Sequence, residues 1–491
     1  MAGLQCHKRL YLECFNRDLA DPISLQQQQI LDAGTGVGEL ARNLFPNGTL
    51  IAEDYTDHEG AMQTTNAALG SSSSGSVYEG AFLHDGVRIR ADLIVPHRSG
   101  EYDLIEVKST SRVKPEHAYD VGIQLYVLLG SGLNVRKACL CHLNNQYLFQ
   151  GGEYDLSSLF RIEDITYEAS LLQGEIPSLL AAMRADLDAP FAPVIETGSQ
   201  CTSPYTCPFY SHCHIGETEY PIEELPRASE RLLDTLRSQG LLDIRDIPEG
   251  FQGLNPLQQR VRECVATGQP FIDEELPRRL RGLRYPIHFL DFETFNPALP
   301  LYVGTRPYQQ IPFQWSLHTM TEDGTVRHAE FLHDGTDDPR EPFAASLVDA
   351  LGDTGPVVVY SGFESARLRE LAVVFPSLAC PLEALAGERM VDLLQLVRTH
   401  CYHPDFRGSF SIKSVLPAFV HHLGYDDLAI SDGSLASMAY TEMIAPATSP
   451  DRKVQIRQDL LDYCRRDTLA EVELFKFFTS QGSADFRRLT S

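Results

Sequence analysis

The sequence predicts an α/β protein of two or three domains, and three observations carry that expectation. Short apolar runs with the period of strands recur between longer stretches with the period of helices. Three of these runs deliver paired acidic side chains, Asp92 with Glu106 from two of them and later Asp291 with Glu293 from one. The chain of 491 residues is also longer than one hydrophobic core usually serves.

Composition narrows the class. Hydrophobic content of 43% and charged content of 22% are those of a soluble globular protein. No apolar run approaches the roughly 20 residues that span a bilayer. The start, MAGLQCHKRLYLEC, lacks the apolar core of a signal peptide, so a cytoplasmic protein with no membrane partner is expected. A formal net charge of −26 argues against a surface that coats nucleic acid, because phosphate neutralisation supplies most of that affinity. A local basic groove can coexist with an acidic exterior, and binding is then salt-sensitive or helped by a protein partner. Eleven cysteines in a reducing compartment point to metal binding or buried thiols before disulfides.

Along the chain, Cys6-His-Lys-Arg-Leu-Tyr-Leu opens a short amphipathic helix, and Gln26 to Gln29 continue a helical stretch. The next segment, Ile30 to Thr56, has two readings. In one, Gly34-Thr-Gly36-Val-Gly38 is the cofactor turn of an S-adenosylmethionine-dependent methyltransferase and Asp54 its ribose ligand. That motif needs a buried strand just upstream, and Leu25-Gln-Gln-Gln-Gln-Ile30 is poor strand material. In the other, Gly34 to Leu40 starts a helix that presents Glu39. Residues 71–76 read as a polar loop. Val77 to Leu83 and Val87 to Val95 are strands flanking His84-Asp85-Gly86, a hairpin signal.

The stretch Val87 to Thr110 organises the first half. Tyr102 to Val107 is a neighbouring strand, and Glu106 and Lys108, two residues apart, share a face about 7 Å from each other. Asp92 stands at a comparable level on the strand before it. Two carboxylates and a lysine on one sheet face can hold a divalent cation, activate a water and stabilise a phosphoryl charge. Glu116 to Leu129 follows as a helix, with Ala118, Val121, Leu125 and Leu128 on one side; it carries Gln124 and Tyr126.

GSQCTSPYTCPFYSHCH then sets Cys201, Cys207 and Cys213 at C-x5-C-x5-C spacing in an irregular, Pro- and Tyr-containing segment. Turns let several sulfurs converge on one metal, but three thiols are one short of a full shell. His212 and His214 stand nearby as zinc ligands in reserve, while Cys14, Cys139 and Cys141 read as incidental. Residues 217–284 read as an acidic, helical connector, with a turn at Gly240.

The last third has its own pattern. In Tyr285 to Phe295, Ile287, Phe289, Asp291 and Glu293 share a strand face, so an apolar run ends in two carboxylates that can bridge two cations. Pro356 to Tyr360 is a second apolar strand, followed by Glu364. Far downstream Tyr463 and Asp467 are four apart on a helix, hence adjacent. Asp392, Ser411 and Lys413 are candidates to line the same groove. Gln314 to His318 reads as a further strand, with Arg306 before it placed to meet a phosphate.

These motifs resemble two nuclease families. The Asp92, Glu106-Val-Lys108 and Gln124 pattern resembles the PD-(D/E)XK nucleases, specifically the RecB-like branch that includes CRISPR-associated iron-sulfur nucleases. In that branch Gly, three residues, then His-Glu precede the core; here Gly38 stands at the histidine, before Glu39. The resemblance makes Cys6 the fourth ligand beside Cys201, Cys207 and Cys213 for a 4Fe-4S cluster, with Zn2+ as the alternative; the trio lacks the usual tighter C-x2-C step. Asp291-Phe-Glu293, Glu364 and Tyr463-x3-Asp467 resemble the DnaQ-like (DEDD) exonucleases of RNase H fold, with Glu364 where that family has Asp and Tyr463 orienting the attacking water.

The chain thus resembles a prokaryotic family that fuses both modules. The resemblance implies a restriction-endonuclease-like core over 1–216, a connector over 217–284 and an RNase H-like mixed sheet with flanking helices over 285–491. It implies Mg2+ or Mn2+ held by Glu39, Asp92 and Glu106 in one site, with Lys108 and Gln124 beside them. In the other, Asp291, Glu293, Glu364 and Asp467 hold the metals. The implied activity is metal-dependent hydrolysis of nucleic acid, DNA more than RNA, in repair or mobile-element defence. A nucleic-acid-binding scaffold with degenerate sites is the rival expectation.

Overall fold

The computed structural model describes residues 1–70, 75–98, 100–216 and 218–480. Residues 71–74 of the expected polar loop lie outside them. The chain is α/β, with two mixed sheets, and divides into two compact units. The first comprises Met1–Ile215 with Pro297–Gln309, and the second Gly216–Asn296 with Gln310–Ser491. No helix among the described residues is long and apolar enough to cross a membrane.

The sheet of the first unit has six strands in chain order: β1 (Thr49–Leu50), β2 (Val77–His84), β3 (Val87–Pro96), β4 (Tyr102–Lys108), β5 (Val135–Leu143) and β6 (Phe160–Asp164). Asp85 and Gly86, both with positive φ, make the tight β2–β3 turn that the sequence signals. The Pro115–Gly130 helix makes the crossover between parallel β4 and β5. One face of the sheet packs Leu104, Ile94 and Leu140 against Val121, Leu125 and Leu128 of that helix. The other packs Leu93, Ile105 and Cys141 against Val37 and Ala41.

Val37 and Ala41 belong to a continuous helix, Leu25–Arg42. It starts at a capping box in which Ser24 accepts from Gln27 N–H at 3.1 Å and Gln27 accepts from Ser24 N–H at 2.9 Å. The glutamine run is good helix material, so the helix begins nine residues before Gly34 and passes through Gly34, Gly36 and Gly38. The glycine turn of the methyltransferase reading is therefore not formed, and that reading loses its site.

Pro297–Gln309, expected within the last domain, packs with the first unit. Phe149 N–H donates to Thr305 O at 3.0 Å, Gly304 N–H to Phe149 O at 2.8 Å, and Ala298, Leu299 and Tyr308 join the Val37 core. Arg306 goes with this segment. The expected connector, in turn, forms part of the second unit.

In the second unit the strands are β7 (Phe271–Ile272), β8 (Ile287–Phe295), β9 (Ile311–Met320), β10 (Val326–Leu332), β11 (Val357–Val359), β12 (Met390–Asp392) and β13 (Cys401–Tyr402). Five of them form a sheet ordered β10-β9-β8-β11-β12, antiparallel on the β10 side of β8 and parallel on the other; β7 pairs with β13. One face is covered by the Arg340–Leu351, Phe363–Val374 and Ala379–Ala386 helices over Leu290, Phe292, Trp315 and Leu317. The Pro450–Ser480 helix crosses the other face, where Phe475 meets Phe289 edge-on at 5.4 Å and Leu460 O accepts from Gln314 Nε2 at 2.8 Å.

Trp315, the only tryptophan, is buried in this unit, so its fluorescence reports unfolding there. Phe343 is fully buried and packs edge-on against Phe292 and Phe331. Phe343→Ala is expected to destabilise this unit by about 3–5 kcal/mol, read as a lower urea midpoint of the Trp315 signal.

Candidate functional site

In the first unit the acids meet where two strands part. β3 and β4 pair from Pro96 and Tyr102 only as far as Leu93 and Ile105. Asp92 follows, and its Oδ2 accepts Val107 N–H at 2.7 Å in place of a ladder bond. Glu106 is buried; its Oε1 accepts from Lys108 Nζ at 2.7 Å and its Oε2 from Gln124 Nε2 at 2.7 Å. Lys108 also reaches Asp120 Oδ2 at 2.6 Å. Burial, then the Glu106 carboxylate, push the Asp92 carboxyl well above its ordinary range. Burial also raises Glu106, with Lys108 opposing it. Burial works against the Lys108 ammonium, but Glu106 and Asp120 outweigh it and hold its pKa high.

Asp92, Glu106, Lys108 and Gln124 thus come together, and Glu39 does not. It is exposed on the Leu25–Arg42 helix, which packs on the sheet face opposite Glu106, and has no hydrogen bond or ion pair among the described residues. Two unpredicted acids join instead. Asp120 precedes Gln124 by four residues, one turn back on the same helix face, a spacing visible in the sequence. Glu79 faces Asp92 from β2 at positive φ, where the β2–β3 pairing skips a pair, and is held by Arg42 at 2.9 Å. Only the strand pairing exposes it.

Cys6, Cys201, Cys207 and Cys213 line one cavity with Lys8, Arg9 and Phe209. Gln5 stitches the N-terminal turn to the cysteine loop, donating to Gln200 O at 2.6 Å and Tyr205 O at 2.7 Å. None of the four forms a disulfide, and no three of their sulfurs lie within 4.8 Å of one another. Burial raises the Cys207 thiol. Neither His212 nor His214 lines the cavity; His214 stacks on Tyr210 at 3.8 Å and its Nδ1 lies 2.7 Å from Tyr210 O.

The second unit holds the denser group. β8 delivers Asp291 and Glu293, the first turn of the Phe363–Val374 helix delivers Glu364, and the Pro450–Ser480 helix delivers Tyr463, Cys464 and Asp467. Asp291, Glu293 and Cys464 offer ligand atoms within 4.8 Å of one another, and Cys464 Sγ lies 3.6 Å from Asp291 Oδ2. Glu293, Glu364 and Asp467 are buried.

Glu364 differs in placement from the strand-end acid expected. β11 stops at Val359, and the carboxylate arrives from the helix after it, with Ser361 Oγ 3.5 Å away. Asp467 Oδ1 accepts from Tyr425 at 2.6 Å, a partner outside every motif. Lys413 donates to Tyr463 Oη at 3.2 Å and to Ser431 O, and its ammonium sits 5.1 and 5.3 Å from the Tyr463 and Tyr425 ring centres. Asp392 caps its own helix through Gln395 N–H at 2.8 Å, and Ser411 bonds Ser409 and Ser414.

Burial and mutual repulsion set the protonation. Asp291 and Glu293 are pushed well up by burial and then by Asp467. Burial raises Glu364 to about 7, and raises Asp467 to about 6 against the Tyr425 hydrogen bond and Lys413. Burial and the same acids raise the Tyr463 phenol, which stays protonated. Such a group can accept cations among its carboxylates and offer a hydroxyl beside them.

Residues 288–411 match a domain of unknown function, DUF2779. The matched span contains Asp291, Glu293 and Glu364, and ends before Lys413, Tyr463 and Asp467. Neither the curated proteins nor the solved structures yield a match.

The folded pKa values of Glu364 and Asp467 exceed the ordinary 4.5 and 3.8. Between about pH 4 and 7 the folded state therefore holds more protons than the unfolded one, and stability falls as pH rises through that window. In chelator, the Trp315-detected melting temperature is expected to drop across it, and Glu364→Gln to drop less. Equal drops would show that Glu364 is not the group titrating.

Proposed function

We propose that the protein is a metal-dependent nuclease with two phosphodiester-hydrolysing centres. The observation that carries this reading is the second unit's pocket. Four carboxylates from three separate elements, Asp291, Glu293, Glu364 and Asp467, converge there, with Lys413 as their cationic neighbour. Carboxylates buried together repel one another and lack solvation, so the arrangement favours divalent cations. Mg2+ or Mn2+ bound there would polarise a phosphodiester and lower the pKa of a bound water.

Tyr463, protonated and fixed by Lys413, would hold the attacking water by hydrogen bonding. The mixed sheet and its flanking helices support the RNase H-like, DnaQ-type reading, and with it hydrolysis from a 3′ end.

In the first unit Asp92 and Glu106 would hold a cation, with Glu79 in the place expected of Glu39. Lys108 is drawn by Glu106 and Asp120 to the same face, where its ammonium would meet the scissile phosphate. These features support the PD-(D/E)XK reading. DNA or RNA would be the substrate, bound weakly and with strong salt dependence given the net charge of −26.

We read the thiol cavity as a 4Fe-4S site in preference to zinc. A tetrahedral zinc site with Zn–S near ~2.3 Å draws its sulfurs to about 3.8 Å from each other. No three of these sulfurs lie within 4.8 Å of one another. Cys6, Cys201, Cys207 and Cys213 would hold the cluster and fasten the start of the unit to its end.

On a 5′-labelled single strand with Mn2+, Asp291→Asn is expected to cut 3′-end trimming on the order of a hundredfold or more. Asp92→Asn should leave that trimming and remove the remaining cleavage. If the double variant cleaves as the wild type does, the proposal is wrong. Protein purified without air should be brown and bleach with dithionite, and Cys207→Ser should lose its iron; a colourless protein carrying zinc would overturn the cluster assignment.

A further inference from the structure

Glu471 lies one turn beyond Asp467 on the same face of the Pro450–Ser480 helix, and none of the motifs includes it. It is 1% exposed. β11 pairs with β8 only as far as Val358 and Phe289, and the Glu471 carboxylate lies beside the Leu290 backbone just beyond that pair. Among the described residues its Oε2 has no hydrogen-bond partner. The side chain faces Asp291, Glu364 and Asp467.

A carboxyl group kept as a neutral acid in the interior places its O–H on an acceptor, and an ionised one is surrounded by donors. No donor among the described residues reaches Glu471 Oε2. What it faces is other carboxylates, and the partner that satisfies several carboxylate oxygens at once is a cation.

We propose that Glu471 is a further cation ligand, bounding with Asp291 and Glu364 an inner cation position behind the outer one between Glu293 and Asp467. This rests on the reading of the pocket as a divalent-cation centre. It also accounts for the longer Glu at position 364, since an inner cation drawn towards Glu471 is bridged by a carboxylate arriving from a helix turn. Oxygen ligands suit Mg2+ and Mn2+, and the Cys464 thiol beside Asp291 tilts the choice towards Mn2+.

The test is an Mn2+ titration of the full chain by electron paramagnetic resonance, comparing wild type, Glu471→Gln and Asp291→Asn. Glu471→Gln is expected to bind one Mn2+ fewer per chain, or to bind one at least tenfold more weakly. In chelator it should melt higher than wild type, and its stabilisation by Mn2+ should be smaller.

Wild-type binding in Glu471→Gln, with binding lost in Asp291→Asn, overturns the role of Glu471 alone. Wild-type binding in both variants overturns the cation centre as well. If Glu471→Gln does not fold by circular dichroism, Glu471→Asp replaces it, keeping the charge and withdrawing the carboxylate. Weaker Mn2+ binding at an unchanged melting temperature in chelator then supports the proposal, and an unchanged titration overturns it.

Discussion

The constraint on which the second unit depends is the cost of placing like charges together out of water. β8 is apolar up to Leu290 and then turns acidic, and the long Pro450–Ser480 helix lies across it so that Asp467 and Glu471 face the same pocket. The aromatic and aliphatic packing on either side, Phe289 on Phe475 and Phe292 on Phe343, holds that approach rigid. Lys413 and Tyr425 relieve part of the repulsion. The remainder favours protons or cations, which makes the pocket's stability and its occupancy two readings of one balance.

The first unit meets the same constraint with more internal compensation. Lys108 lies between Glu106 and Asp120, Gln124 satisfies the second Glu106 oxygen, Val107 N–H satisfies Asp92, and Arg42 holds Glu79. All of this follows from strands that separate one residue beyond Leu93 and Ile105, which opens room for side chains where ladder bonds would have been. The β2–β3 ladder lacks one pair, between Glu79 and Asp92, while its register runs on unchanged at Gly80 and Ala91.

Much of the local structure was legible. Alternation gave β2, β3, β4, β8 and β9 within a residue or a few at their ends, the Asp85-Gly86 turn was marked by its residue types, and Tyr463 to Asp467 did lie on a helix. The expectation for Glu39 failed because a helix start was read at the glycines. The capping box at Ser24 starts it earlier, so the helix presents Val37 and Ala41 to one sheet face while Glu106 projects from the other. Pro297–Gln309 was misplaced because a chain segment carries no mark of the core it will join until Thr305 and Gly304 meet Phe149.

The sequence by itself determined the α/β class, the strand runs that end in Asp291 and Glu293, the helical spacing of Tyr463 and Asp467, and the cysteine spacing. All are periodicities or short-range patterns, and those are fixed by backbone geometry. Only the tertiary structure decided that Glu79, Asp120, Tyr425 and Glu471 stand among the acids, that the Cys6 thiol shares a cavity with three others some two hundred residues away, and that Glu39 stands apart. Such neighbours are set by strand register, helix rotation and sheet face, and no local pattern encodes them.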